Sequence, residues 1–149
     1  MKKVLGIIIC CLIIAGLSAG SVPFARAETA AEPVNVDLDL SAMSGTVVYA
    51  QVYNIMCDPS PWLGRIIRMA GFYSAFEDQA QGVVYHACVI PDATACCAQG
   101  IEFVWAGEHA WPEDYPGEGT DITVTGRLEL YEENGIRYLH LVDADLVLN

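Results

Sequence analysis

Residues 121–149 read DITVTGRLELYEENGIRYLHLVDADLVLN, and the alternation in this stretch decides the fold class. Ile122, Val124, Leu128 and Leu130 fall on one face of an extended chain, while Thr123, Thr125, Arg127 and Glu129 fall on the other. Asn134-Gly135 then accepts the positive φ angles that a tight hairpin needs, so residues 136–148 return as a second strand beside 121–131.

Working back toward the N terminus, the same reading predicts strands over 64–76, 82–90 and 101–106. Gly71 lies in the middle of the first as a bulge or bend. Between 46 and 57 the only clearly polar side chains are Thr46, Gln51 and Asn54, a narrow helical stripe that predicts a mostly buried helix. Asp58-Pro59-Ser60-Pro61 ends it, because proline cannot continue a helix and restricts the residue before it. Five short strands, mid-strand glycines at Gly71 and Gly126 and one N-terminal helix predict an all-β fold. The expected architecture is a small five-stranded Greek-key barrel of OB type, with an open β-sandwich as the alternative. Residues 107–119, with His109, Trp111, Pro112, Tyr115 and Pro116, stand where such barrels often carry a helix, but their prolines and glycines predict an ordered loop.

The first residues follow another logic. Lys2 and Lys3, the apolar run 4–17 and Ala25-Arg26-Ala27 have the basic start, apolar middle and small-residue site of a cleavable export signal. The organisation expected is a signal peptide over 1–27, a flexible leader over 28–43 and one domain over 44–149, placed outside the cytoplasm as a secreted or cell-envelope protein. The apolar run is shorter than the roughly 20 residues that span a bilayer, so no stable membrane anchor is expected after cleavage. Cys10 and Cys11 lie within the run and do not enter the site. Loss of the signal removes Lys2, Lys3 and Arg26, leaving four arginines to set against nineteen acids, a formal charge of −15. Nucleic-acid binding needs a basic stripe, and Arg65, Arg68, Arg127 and Arg137 are scattered among carboxylates. Nucleic acid is therefore not expected as a partner.

The four remaining cysteines are Cys57, Cys88, Cys96 and Cys97. On a strand His86, Cys88 and Ile90 share a face, and Cys96-Cys97 lies in the following connection, which can fold back over the sheet end. Three thiolates and an imidazole match a tetrahedral site for a soft metal, zinc favoured, with His86, Cys88, Cys96 and Cys97 as ligands. A metal ion or an envelope protein is then the partner expected. Outside the cytoplasm the same thiols can instead form disulfides in any of three full pairings, giving a stapled module that binds a peptide, glycan or protein without metal. A thiol oxidoreductase would need a C-x-x-C at a helix start, which the chain lacks. No Ser-His-Asp order, phosphate-cradling glycine loop or marked carboxylate pair points to an enzyme.

Several of these residues also carry a resemblance. The run Trp62-Leu63-Gly64-Arg65-Ile66-Ile67-Arg68-Met69-Ala70-Gly71, then Tyr85-His86-Ala87-Cys88, the segment from Asp92 through Cys96-Cys97-Ala98 to Phe103, and residues 120–126 resemble a group of exported bacterial proteins with an OB-like domain. More distantly, they are similar to the soluble two-cysteine domain of membrane proteins that accompany a family of permeases. The resemblance covers residues 44–149, and Cys96-Cys97-Ala98 is its most specific part. It implies an OB-like fold and no particular activity. Where the distant group follows its double cysteine with Ala-Asp-Ala, this chain has Ala98-Gln99-Gly100.

Overall fold

The computed structural model describes residues 34–94 and 96–149; the expected signal peptide, and the leader up to residue 33, lie outside them. The elements run β1 (Leu38–Asp39), α1 (Gly45–Cys57), β2 (Ile66–Asp78), β3 (Val83–Pro91), β4 (Ala98–Trp105), β5 (Asp121–Glu133) and β6 (Ile136–Leu148). Among the described residues the fold is β-rich with one helix, in agreement with the expected all-β class. Residues 107–119 form turns and bends rather than a helix. Among the described residues no helix is long and apolar enough to cross a membrane.

The strands make one sheet in the order β1-β2-β3-β4-β6-β5, and β5 pairs again with β2. Each of the five long strands therefore has a partner on both sides. Four of the pairings among them are antiparallel, and β4–β6 is parallel. β2 makes the circuit possible by changing partner midway: Ile66 to Phe72 pair with β5, and Phe72 to Asp78 with β3. Gly71 sits at this change, and a Cβ there would lie 2.4 Å from the Val89 carbonyl oxygen and 2.9 Å from Cys88 Sγ. The expected irregularity at Gly71 is thus a close approach between strands. At Gly126 the pairing shifts register, with Thr125 opposite Asp145 and Arg127 opposite Val142. The extra residue belongs to β6, where Asp143 adopts a positive φ of 49°.

Inward positions alternate along every strand: Ile67, Met69 and Tyr73 on β2, Cys88 and Ile90 on β3, Ile101 and Phe103 on β4, Ile122, Val124 and Leu128 on β5. These side chains form one core with Leu141 and Ala144 of β6. Helix α1 adds Val48, Val52 and Ile55, spaced four and three residues apart on a single face. The helix is less buried than its sequence suggests. Val47, Tyr53 and Met56 are exposed, because the strands cover only one side of it. β-branched residues tolerate the helix here since tertiary packing outweighs their weak propensity.

A second difference concerns the leader assigned to 28–43. Within it Leu38 and Asp39 form β1, parallel to Ile67 and Arg68, and Leu40 is buried in the core. The Asp39 carboxylate also accepts a hydrogen bond from Arg68 at 3.3 Å. The alternation Val36, Leu38, Leu40 signals this short strand, but two paired residues are too few to stand out from an acidic, proline-broken approach.

Gly71→Ala is expected to lower stability by about 1–3 kcal/mol, as overpacking against an unyielding backbone does. Gly45→Ala, where nothing lies within 4 Å of the added Cβ, should be neutral or stabilising by up to about 1 kcal/mol. Urea unfolding midpoints of the two variants test the contrast.

Candidate metal centre in the β3–β4 connection

β3 ends at Pro91 and β4 begins at Ala98, with those two residues paired across the hairpin. The connection is drawn tight by the Asp92 N–H, which donates to the Cys97 carbonyl oxygen at 2.8 Å. The Asp92 carboxylate then gathers the loop around itself. It accepts from the Thr94 N–H at 3.1 Å, the Cys96 N–H at 3.0 Å and the Cys96 thiol at 3.2 Å. An aspartate bonding to backbone a few residues ahead is the ordinary way such turns are held. The result is that Asp92, Cys96 and Cys97 offer one oxygen and two sulfurs all within 4.8 Å of one another. The two sulfurs are 3.7 Å apart.

The surroundings of Cys97 oppose its ionisation in the free protein. The Cys96 thiol hydrogen bond, aided by the neighbouring N–H groups, holds the Asp92 carboxyl below the usual aspartate value. Cys97 is pushed above the ordinary thiol value, first by its hydrogen bond with Cys96 and further by loss of hydration and by the Asp92 charge. Nucleophilic or redox chemistry needs the reverse, a thiol made acidic by positive surroundings. A bound cation would invert the balance, because it stabilises the carboxylate and both thiolates together.

The ligand set read from the sequence does not converge. Cys96 and Cys97 come together, but their third neighbour is Asp92, and neither His86 nor Cys88 joins the group. Strand geometry explains this. Cys88 does share an inward face with Ile90, yet that face points into the core, where Cys88 is fully buried and its thiol is pushed up to about 12 by desolvation. At about 3.3 Å per residue, Cys88 lies roughly 10 Å along the strand from Pro91. His86 is further along still. Its Nδ1 shares a 2.7 Å hydrogen bond with the Tyr73 hydroxyl, and its ring stacks on Tyr115 at a centroid distance of 3.9 Å. Burial holds the imidazole below its usual value.

His109 stacks on Trp105 at 3.6 Å and its Nε2 is 2.9 Å from the Ala106 carbonyl oxygen, so it closes the 107–119 loop onto β4. His140 is a sheet residue, as expected, tilted against Tyr131 at 4.6 Å. All four cysteines of the described residues are free thiols. The residue that sequence reasoning missed is Asp92. Its signal was local: an aspartate directly after a strand, followed by Thr94 two positions on, is a turn-former whose carboxylate points back over its own loop.

Two outcomes follow from these placements. Thiol labelling of the reduced protein is expected to modify Cys57, Cys96 and Cys97, which are exposed, long before Cys88, which should react only on unfolding; early modification of Cys88, read by peptide mass spectrometry, would contradict its placement. The second concerns pH. An imidazole whose folded value lies below its unfolded value near 6.5 binds its proton more readily when unfolded, so its contribution to stability is fully present above 6.5 and is lost as pH falls below it. His140 acts in the same sense through burial. Unfolding midpoints should therefore drop across that interval, and the drop should shrink in His86→Gln.

No protein-family model matches the chain, and no curated protein matches it.

Proposed function

We propose that this chain is an exported, non-enzymatic domain, a closed barrel of OB type that holds one soft metal ion, zinc favoured, at the head of the β3–β4 connection. The observation that carries the reading is the convergence of Asp92, Cys96 and Cys97 within 4.8 Å. Two thiolates and a carboxylate suit the borderline-soft zinc ion, and a water or a group from a partner would complete four-coordination. Cys88 and His86 are left out of this ligand set, Cys88 as a core residue and His86 as part of the aromatic packing around Tyr73. Exposure of Cys96 and Cys97 at the molecular surface favours an ion that is exchanged with the surroundings over one that holds the core together.

The barrel reading is supported by the circuit of pairings β2-β3-β4-β6-β5 and back to β2, which leaves none of these strands as an edge. Export is supported by the signal-like residues 1–27, and a handling role at the cell envelope fits both. The formal charge, −12 for the full sequence and −15 without residues 1–27, attracts cations and opposes nucleic acid.

Calorimetric titration of the reduced mature protein with zinc should give about one equivalent per chain with proton release, since bound thiols must ionise. Cys96→Ser and Cys97→Ser should weaken binding by more than the roughly 10–100-fold that loss of an outer-shell partner costs. Asp92→Asn should weaken it in the same direction, whereas His109→Ala and His140→Ala should leave it unchanged. Full zinc affinity in the Cys96→Ser, Cys97→Ser double variant, or no binding of zinc, copper or iron by the parent, would refute the metal reading.

A further inference from the structure

A second concave site lies on the outer face of the sheet, away from the cysteines. Residues of the β2–β3 and β5–β6 hairpins, together with Glu102 of β4, line a groove of about 310 Å³. Its walls are aromatic. Phe76 is 68% exposed and stacks with Tyr85, while Tyr131 stacks with its cross-strand partner Tyr138 at 5.4 Å. Behind the rings stand carboxylates. The Tyr85 hydroxyl donates to Glu133 at 2.7 Å and the Tyr131 hydroxyl to Glu102 at 2.6 Å. Asp78 opens onto the same groove.

Among the described residues these three carboxylates have no cationic partner. The ion pairs among the described residues are Arg68–Asp39, Arg127–Glu129 and Arg127–Asp143, none of them in the groove. Arg137, paired across the β5–β6 hairpin with Glu132, lines a neighbouring hollow with Glu102 but lies outside the groove's lining. Negative ring faces and carboxylates outside any ion pair thus line one groove. Cations are drawn to both, and the tyrosine hydrogen bonds fix the carboxylates in place.

We propose that this groove binds a linear organic polycation of the polyamine class. Ammonium groups separated by methylene runs would meet Asp78, Glu102 and Glu133 with their charges and lie with their apolar spans against Phe76, Tyr85 and Tyr138. A neutral glycan would leave the carboxylates unmatched, and an inorganic cation would make no use of the rings. The proposal is independent of the metal centre.

Spermidine is the probe, titrated calorimetrically into the zinc-free mature protein at moderate salt, with the site mapped by amide chemical shifts. Saturable binding of one equivalent is expected, with shifts confined to the groove's lining on 74–87, Glu102 and 131–138. Glu133→Gln should weaken it about tenfold, as loss of a charge-assisted hydrogen bond does, and Tyr138→Ala several-fold. Asp145→Asn, an equal change of charge on β6 outside the groove, and Cys96→Ser should leave it unchanged. Three results would overturn the proposal: no saturable binding; equal weakening by Asp145→Asn, which marks diffuse attraction to an acidic protein; or tighter binding of magnesium or a neutral oligosaccharide than of spermidine. The shift map on the parent protein keeps the test decisive should a variant fail to fold.

Discussion

The shared pairing of β2 is the constraint on which the rest depends. A single strand hydrogen-bonds to β5 through Phe72 and to β3 from Phe72 onward, and so joins the two hairpins β2–β3 and β5–β6 into one circuit. The handover demands that β3 come close at Gly71, where the Val89 carbonyl leaves no room for a side chain. A residue with a Cβ would push the hairpins apart at the point where they share the core. Tyr73, the next inward residue, is fully buried and anchors the aromatic packing of His86, Phe103 and Tyr115.

The same constraint separates structure from chemistry along β3. Its inward positions belong to the core, where a thiol such as Cys88 is held protonated and out of reach. Its outward positions, Tyr85 and Ala87, line the acidic groove. Only beyond Pro91, where pairing stops, does the backbone curl enough for adjacent cysteines to turn toward a common carboxylate. Adjacent residues on a regular strand point to opposite faces, so Cys96 and Cys97 can converge only because neither is in one.

The acidity of the chain has different local consequences. Asp39 is answered by Arg68 and Ser41, and Asp143 by Arg127. Among the described residues Asp92 is answered by neutral donors, and Glu102 and Glu133 by phenols. None of these three is in an ion pair among the described residues. In this way an acidic composition, which by itself speaks only of solubility and of partners to exclude, is sorted by the fold into carboxylates with a cationic partner and carboxylates without one.

The five long strands and the helix were legible in the sequence because their cues are local: alternation, β-branching, the Asn134-Gly135 turn and the Pro59 stop act within a few residues. So was the shared face of His86, Cys88 and Ile90. What the sequence could not supply was which way that face points. An inward and an outward strand face have the same period, and only the packing of five strands around one core assigns Cys88 to the interior and Tyr85 to the surface. β1 was lost for a related reason, since two residues gain their pairing from β2 and not from each other. The Asp92 cluster and the groove between the two turns join groups that are neighbours only after the chain has curled or closed. Periodicity reaches along a strand, but convergence across strands is set by register and by the close approach at Gly71, which tertiary structure alone decides.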